Sequence, residues 1–138
     1  MSRERVQRWS LGLIALFMPP TAIQATFAPE SWCDDFPLGK GWVPVEGGAY
    51  DEHLVRDAGV LFLALIIVTV WSVWRRGAVT VVAIAWLVQG LFHLGFHIGH
   101  LDGLDTADQV GLVGSLVSIP IVAAISLSAG VRAQMIKT

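Results

Sequence analysis

Residues 77–101 read GAVTVVAIAWLVQGLFHLGFHIGHL, 25 consecutive positions without Asp, Glu, Lys or Arg. A helix of about 20 apolar residues crosses the hydrocarbon core of a bilayer, so this run is predicted to be a transmembrane helix. Three more uncharged runs accompany it: Trp9–Phe27, Ala58–Trp74 and Gln109–Val131. The four runs hold 84 of the 138 residues, which leaves too little chain for a second domain. Charged residues make up 14% of the chain, against about 25% in soluble domains. This composition excludes a soluble globular domain, a disordered chain and a conventional nucleic-acid binder. Strict alternation at period two is missing from the runs, which argues against a β-barrel. The expected fold is all-α: one integral-membrane four-helix bundle over residues 1–138, with helices at about 9–27, 53–74, 77–101 and 106–131.

Charge is segregated along this framework. In a four-span topology Arg3, Arg5, Arg8, Arg75, Arg76, Arg132 and Lys137 fall on one side, and only Lys40 and Arg56 on the other. Glu4 is the one acid on the cationic side. Lys and Arg bias orients spans with the positive side cytoplasmic. Both termini are therefore expected in the cytoplasm of a multi-pass plasma-membrane protein, with a long loop from Ala28 to about Asp51 and a short turn at Asp102–Asp108 outside. Basic residues before an apolar run also open secretory signal peptides. Here the run is long for that role and Pro19-Pro20 interrupts it, so a retained first helix, kinked at the prolines, is the favoured expectation.

The outer loop is rich in Pro and Gly and shows no sustained helix or strand period. Its length points to a lid or contact surface. Its one cysteine, Cys33, has no partner for an internal disulfide and reads as an incidental free thiol. Trp32, Trp42, Trp71 and Trp74 fit an interfacial aromatic belt. Asp105 or Thr106 can cap the fourth helix, Asp108 suits its positive end, and Pro120 should bend it. Gly95/Gly99, Gly111/Ser115 and Ser126/Gly130 have the spacing of close helix contacts, within one bundle or between copies of a homo-oligomer.

All four histidines fall on the outer side. His93, His97 and His100 lie within one narrow stripe of the third helix, with Gln89 one turn inward. Counted from the helix start, His93 is about 22 Å into a core of about 30 Å. On the second helix His53, Arg56 and Asp57 enter from the same side, and Gln24 and Ser115 reach similar depth on the first and fourth. Polar groups from all four helices are thus expected to meet in the outer third, while the inner two-thirds of the second, third and fourth spans are almost purely apolar. Ionisable groups inside a membrane are costly and face one another or a cavity. His53 and Asp57 stand at i, i+4, where the carboxylate can set the imidazole tautomer and raise its basicity. Arg56 can neutralise Asp57 or hold an anion.

The segments YDEHLVRD (50–57) and FHLGFHIGHLDG (92–103) together resemble a functionally unassigned group of small four-span actinobacterial membrane proteins. The resemblance covers nearly the whole chain. It implies the fold and a focus on His53, Arg56, Asp57, His93, His97 and His100, and no activity. Three functions follow from the residues. The leading one is a metal or haem site: His93, His97, His100 and His53 as ligands to Zn, Cu or Fe, supported by Asp57, Arg56 and Gln89, for metal handling, redox or Lewis-acid chemistry. The second is a metal-free enzyme acting on a lipophilic substrate, with His53 and Asp57 as base and His93 or His97 as acid. The third is an accessory subunit of a membrane complex. The expected partners are the lipid bilayer, a second copy or a membrane complex, and no nucleic acid.

Overall fold

The structure is a computed structural model that describes residues 2–45 and 49–135, with 44–45 and 131–135 described by backbone alone. The predicted cation Lys137 lies outside the described residues. Every regular element among them is helical: α1 (Arg3–Phe17), α2 (Pro19–Phe27), α3 (Pro29–Asp35), α4 (Trp42–Val45), α5 (Glu52–Arg75), α6 (Val79–Ile98) and α7 (Thr106–Met135).

Four stretches are long and apolar enough to cross a membrane: Arg3–Phe27, Glu52–Arg75, Val79–Ile98 and Thr106–Gly130. The first joins α1 and α2 at Met18, whose backbone stays α-helical. Pro19 and Pro20 bring no N–H, so the carbonyls of Ala15 and Leu16 lose their i+4 donors there. The ladder resumes with Ala22 N–H donating to Met18 O at 3.2 Å. Asp51 caps α5 by accepting from Leu54 N–H at 3.1 Å. Asp105 caps α7 by accepting from Asp108 N–H at 2.8 Å, as its position before the apolar run predicts. Between α5 and α6, Arg76 and Ala78 both take left-handed φ, 58° and 57°. That tight reversal starts α6 at Val79 rather than at residue 77, and its other end stops at Ile98 rather than 101.

The loop between the first two spans departs from the expectation of an irregular segment by holding two short helices. Pro29 opens α3 at its first turn, where a missing N–H is harmless. Lys40 Nζ pairs with Asp108 Oδ1 at 2.7 Å, and the Trp42 ring lies over Gly111. With α3 seated on α2 and α5, the loop straps the start of α7 to that pair.

In the bundle, α7 packs most extensively on α6 and α1, and α2 on α5, whereas α5 and α6 touch little despite their short connection. The core is Leu11, Ile14, Ala22, Ile66, Val79, Val82, Ala83, Trp86 and Ala123. Gln7, Ser10, Thr69, Ser72 and Ser126 are buried with it, while Leu16, Phe17, Leu61, Ile67, Val81 and Phe92 are exposed. Large apolar side chains outside and small or hydrogen-bonded polar ones inside suit a lipid solvent, which gives no hydrogen bonds to a polar group. Helices approach closely at Gly59 and Gly90, against backbone in one case and a proline ring in the other. An added Cβ at Gly59 would stand 2.7 Å from Thr26 N, and at Gly90 2.9 Å from Pro120 Cδ. Of the predicted small-residue pairs, Ser126/Gly130 does carry a helix contact: Ser126 Oγ donates to Gln7 O at 3.0 Å, and Gly130 faces the Gln7 side chain. Gly95 faces open space.

Candidate functional site

The site grows from a column of side chains between α5 and α6. At its foot Trp86, wholly buried, donates its indole N–H to Thr69 Oγ at 2.8 Å. The Thr69 hydroxyl in turn donates to Leu65 O at 2.6 Å. Phe62 stacks on Trp86 with ring centroids 6.4 Å apart. The edge of His93 then meets Phe62 at 6.3 Å, and His97 stands perpendicular to His93 at 4.5 Å. The imidazole pair thus sits on a rigid aromatic stem that continues into the core. One turn below His93, Gln89 Oε1 is buried with no hydrogen-bond partner among the described residues. Composition and spacing did not single out Phe62, Trp86 or Thr69. The available signal was Thr69, the lone hydroxyl in the apolar run 58–71.

The third histidine of the stripe turns away from this pair. The His100 ring stacks on Phe96 at 4.1 Å, and its Nδ1 is 2.7 Å from Phe96 O. A carbonyl only accepts, so Nδ1 is the donor in this contact.

The other expected members go elsewhere. His53 Nε2 is 3.4 Å from Asp57 Oδ2, with the side chains 88% and 61% exposed. Phe62 is the α5 residue level with His93. His53 lies nine residues before it, which is about 13 Å along the axis and about half a turn round it. Arg56 does not pair with Asp57. Its Nε donates to Glu52 Oε1 at 2.8 Å and its Nη1 to Thr26 O at 2.6 Å, where a cation suits the carbonyl end of α2. Gln24 Nε2 donates to Ser31 Oγ at 3.3 Å, and Ser115 Oγ bonds back to Leu112 O at 2.8 Å. The four-helix convergence therefore resolves into one pair, His93 and His97. Among the described residues no three His, Cys, Asp or Glu side chains come together.

Polar side chains also tie helices together at the opposite end, two of them from the opening turns of α1. Gln7 Nε2 donates to Thr80 Oγ at 3.1 Å, and Arg8 Nε donates to Val73 O at 2.8 Å. In the loop between the first and second spans Cys33 is buried and unpaired. Burial first, and then the Asp34 carboxylate, push its thiol above the ordinary range, which disfavours the reactive thiolate. No family model, curated protein or solved structure matches the chain.

Proposed function

We propose that the chain is a plasma-membrane protein with cytoplasmic termini whose working site is the His93–His97 pair, and that the pair binds a transition metal. The observation that carries this is the perpendicular contact of the two imidazoles at 4.5 Å within a membrane span. Two ionisable rings held together in a membrane span point to a function. Neutral imidazoles suit Zn, Cu and Fe. Neighbours one turn apart approach a metal from the same side and leave its remaining positions open. One haem takes its axial ligands from opposite faces, so a haem would use only one of the two. His100 would add a third nitrogen by leaving its stack on Phe96.

Metal analysis by mass spectrometry, with an absorption spectrum, tests this on detergent-purified protein kept from nickel resin and chelators. Near-stoichiometric Zn, Cu or Fe is expected, lost in His97→Ala and retained in His53→Ala. Protein that stays empty when metal is offered, or full occupancy in His97→Ala, overturns the assignment. The His53–Asp57 pair supports a second proposal, metal-free proton transfer to a lipophilic molecule at the outer end of α5. That activity would survive strong chelators and disappear in Asp57→Asn.

A further inference from the structure

A second feature lies at the end of the bundle that carries the termini. A concavity of about 580 Å³ opens between α1 and the last turns of α5, lined by Arg5, Arg8, Trp9, Gly12, Leu13 and Leu16, with Val73 across from them. Its floor is apolar and faces outward: Trp9, Leu13 and Leu16 are 66%, 47% and 66% exposed. A side chain on Gly12 would meet nothing within 4 Å, so the missing side chain leaves the trough open. Both cations stand at the terminal end of this floor. Arg8 Nε donates to Val73 O at 2.8 Å, which fixes the guanidinium across the two helices and leaves its remaining N–H donors for another acceptor. Arg5 follows about one turn farther out.

We propose that this trough binds one anionic glycerophospholipid, with its phosphate on Arg5 and Arg8 and an acyl chain along the floor. The chemistry is complementary at both ends. A guanidinium fork matches phosphate oxygens bidentately, and basic pockets between transmembrane helices hold anionic head groups. This end of the chain carries Arg3, Arg75 and Arg76 besides, with Glu4 its only acid. A free phosphate would leave the apolar floor without a purpose, and a net-neutral lipid would gain little from the second arginine.

Native mass spectrometry of the full chain, offered phosphatidylglycerol or phosphatidylcholine of matched acyl chains, tests the site. Wild type should retain one phosphatidylglycerol in preference to phosphatidylcholine, and inorganic phosphate should not displace it. Arg5→Gln should weaken phosphatidylglycerol retention about fivefold and leave phosphatidylcholine unchanged. Gly12→Leu, which fills open space, should abolish retention of either lipid without moving the unfolding midpoint. Equal retention of the two lipids by wild type overturns the proposal, as does full displacement by phosphate. A trough covered by a second copy, seen as a dimer that Gly12→Leu dissociates, also overturns it. Should Gly12→Leu not fold, the Arg5→Gln result decides alone.

Discussion

A single methyl group added at Gly90 probes how α6 seats on α7, and through it how the histidine pair is held. The new Cβ would stand 2.9 Å from Pro120 Cδ and 3.2 Å from both Ile119 Cγ2 and Pro120 N. Carbon atoms in comfortable contact are about 3.5–4.0 Å apart, so the shortfall against Pro120 Cδ is about 0.6–1.1 Å. Ile119 can turn its side chain. Pro120 cannot, because its ring is closed onto the backbone. The helices must therefore part by most of that shortfall, and Gly90→Ala should destabilise the bundle by about 1–3 kcal/mol. Gly95→Ala is the matched control, since a Cβ there meets nothing within 4 Å. Both changes gain the same helix propensity, so their difference isolates packing. Gly95→Ala should fall within about 0.5 kcal/mol of wild type, or on its stable side. Reversible unfolding of both variants in mixed detergent micelles, followed by circular dichroism, measures the two. Equal midpoints, or a larger loss in Gly95→Ala, would refute the packing of α6 on α7 described above.

Thr69→Val keeps the shape of residue 69 and takes the acceptor from the Trp86 indole. It should destabilise by about 0.6–1.7 kcal/mol, the range measured for hydrogen bonds between membrane helices. Adding Trp86→Phe should then cost less than it does alone, and strict additivity would count against the bond. Lys40 is held above the ordinary lysine range, first by its hydrogen bond to Asp108 and then by that carboxylate's charge. A raised folded-state value means the strap from the loop to α7 is fully present below the ordinary lysine range and is lost as pH climbs through the raised one. Acrylamide quenching of the loop tryptophans should therefore rise in wild type only at strongly alkaline pH. In Lys40→Met it should be high already at neutral pH, with the unfolding midpoint little changed because the lysine end of the pair is exposed. Identical quenching in the two proteins at neutral pH would contradict the strap.

The four spans were legible because lipid demands long uncharged runs, and the cap of the fourth was legible because Asp105 precedes such a run; the Asp51 cap of α5 was not read from the sequence. Hydropathy marks the edge of the hydrocarbon, not the end of a helix. For that reason the first helix, expected from Trp9, begins at Arg3: its charged opening turns sit where water satisfies them. The short helices α3 and α4 were not legible. Helices of that length do not hold by propensity; α3 is held by packing on α2 and α5, and α4 by Trp42 on Gly111 beside the Lys40–Asp108 pair. Spacing of small residues was an uneven guide. Gly59 and Gly90 have Leu63 and Leu94 four residues on and belong to no small-residue pair, yet each seats a neighbouring helix closely. What decides such a contact is the partner, the Thr26 backbone in one case and the Pro120 ring in the other.

The same distinction explains the site. Within α6, angle arithmetic brought His93 and His97 together, because both belong to one rigid ladder. Between helices, matching depth from the loop ends left the rotation of α5 open, and rotation is what separates His53 from His93. The face that α5 turns to α6 is set by Phe62, Ile66 and Thr69, residues spaced like a helix stripe whose members stack on Trp86, join the core and accept its indole proton. Continued outward by the same spacing, that stripe reaches Gly59 and Val55, on the side of α5 opposite His53 and Asp57. A metal held by both His53 and His97 would require α5 to turn by nearly half a revolution. Thr69 would then leave Trp86, and an indole N–H would be stranded in a core that has no water to receive it. Any ligand that gathers all four histidines must therefore break the Trp86–Thr69 bond, whereas one that uses His93 and His97 leaves it intact.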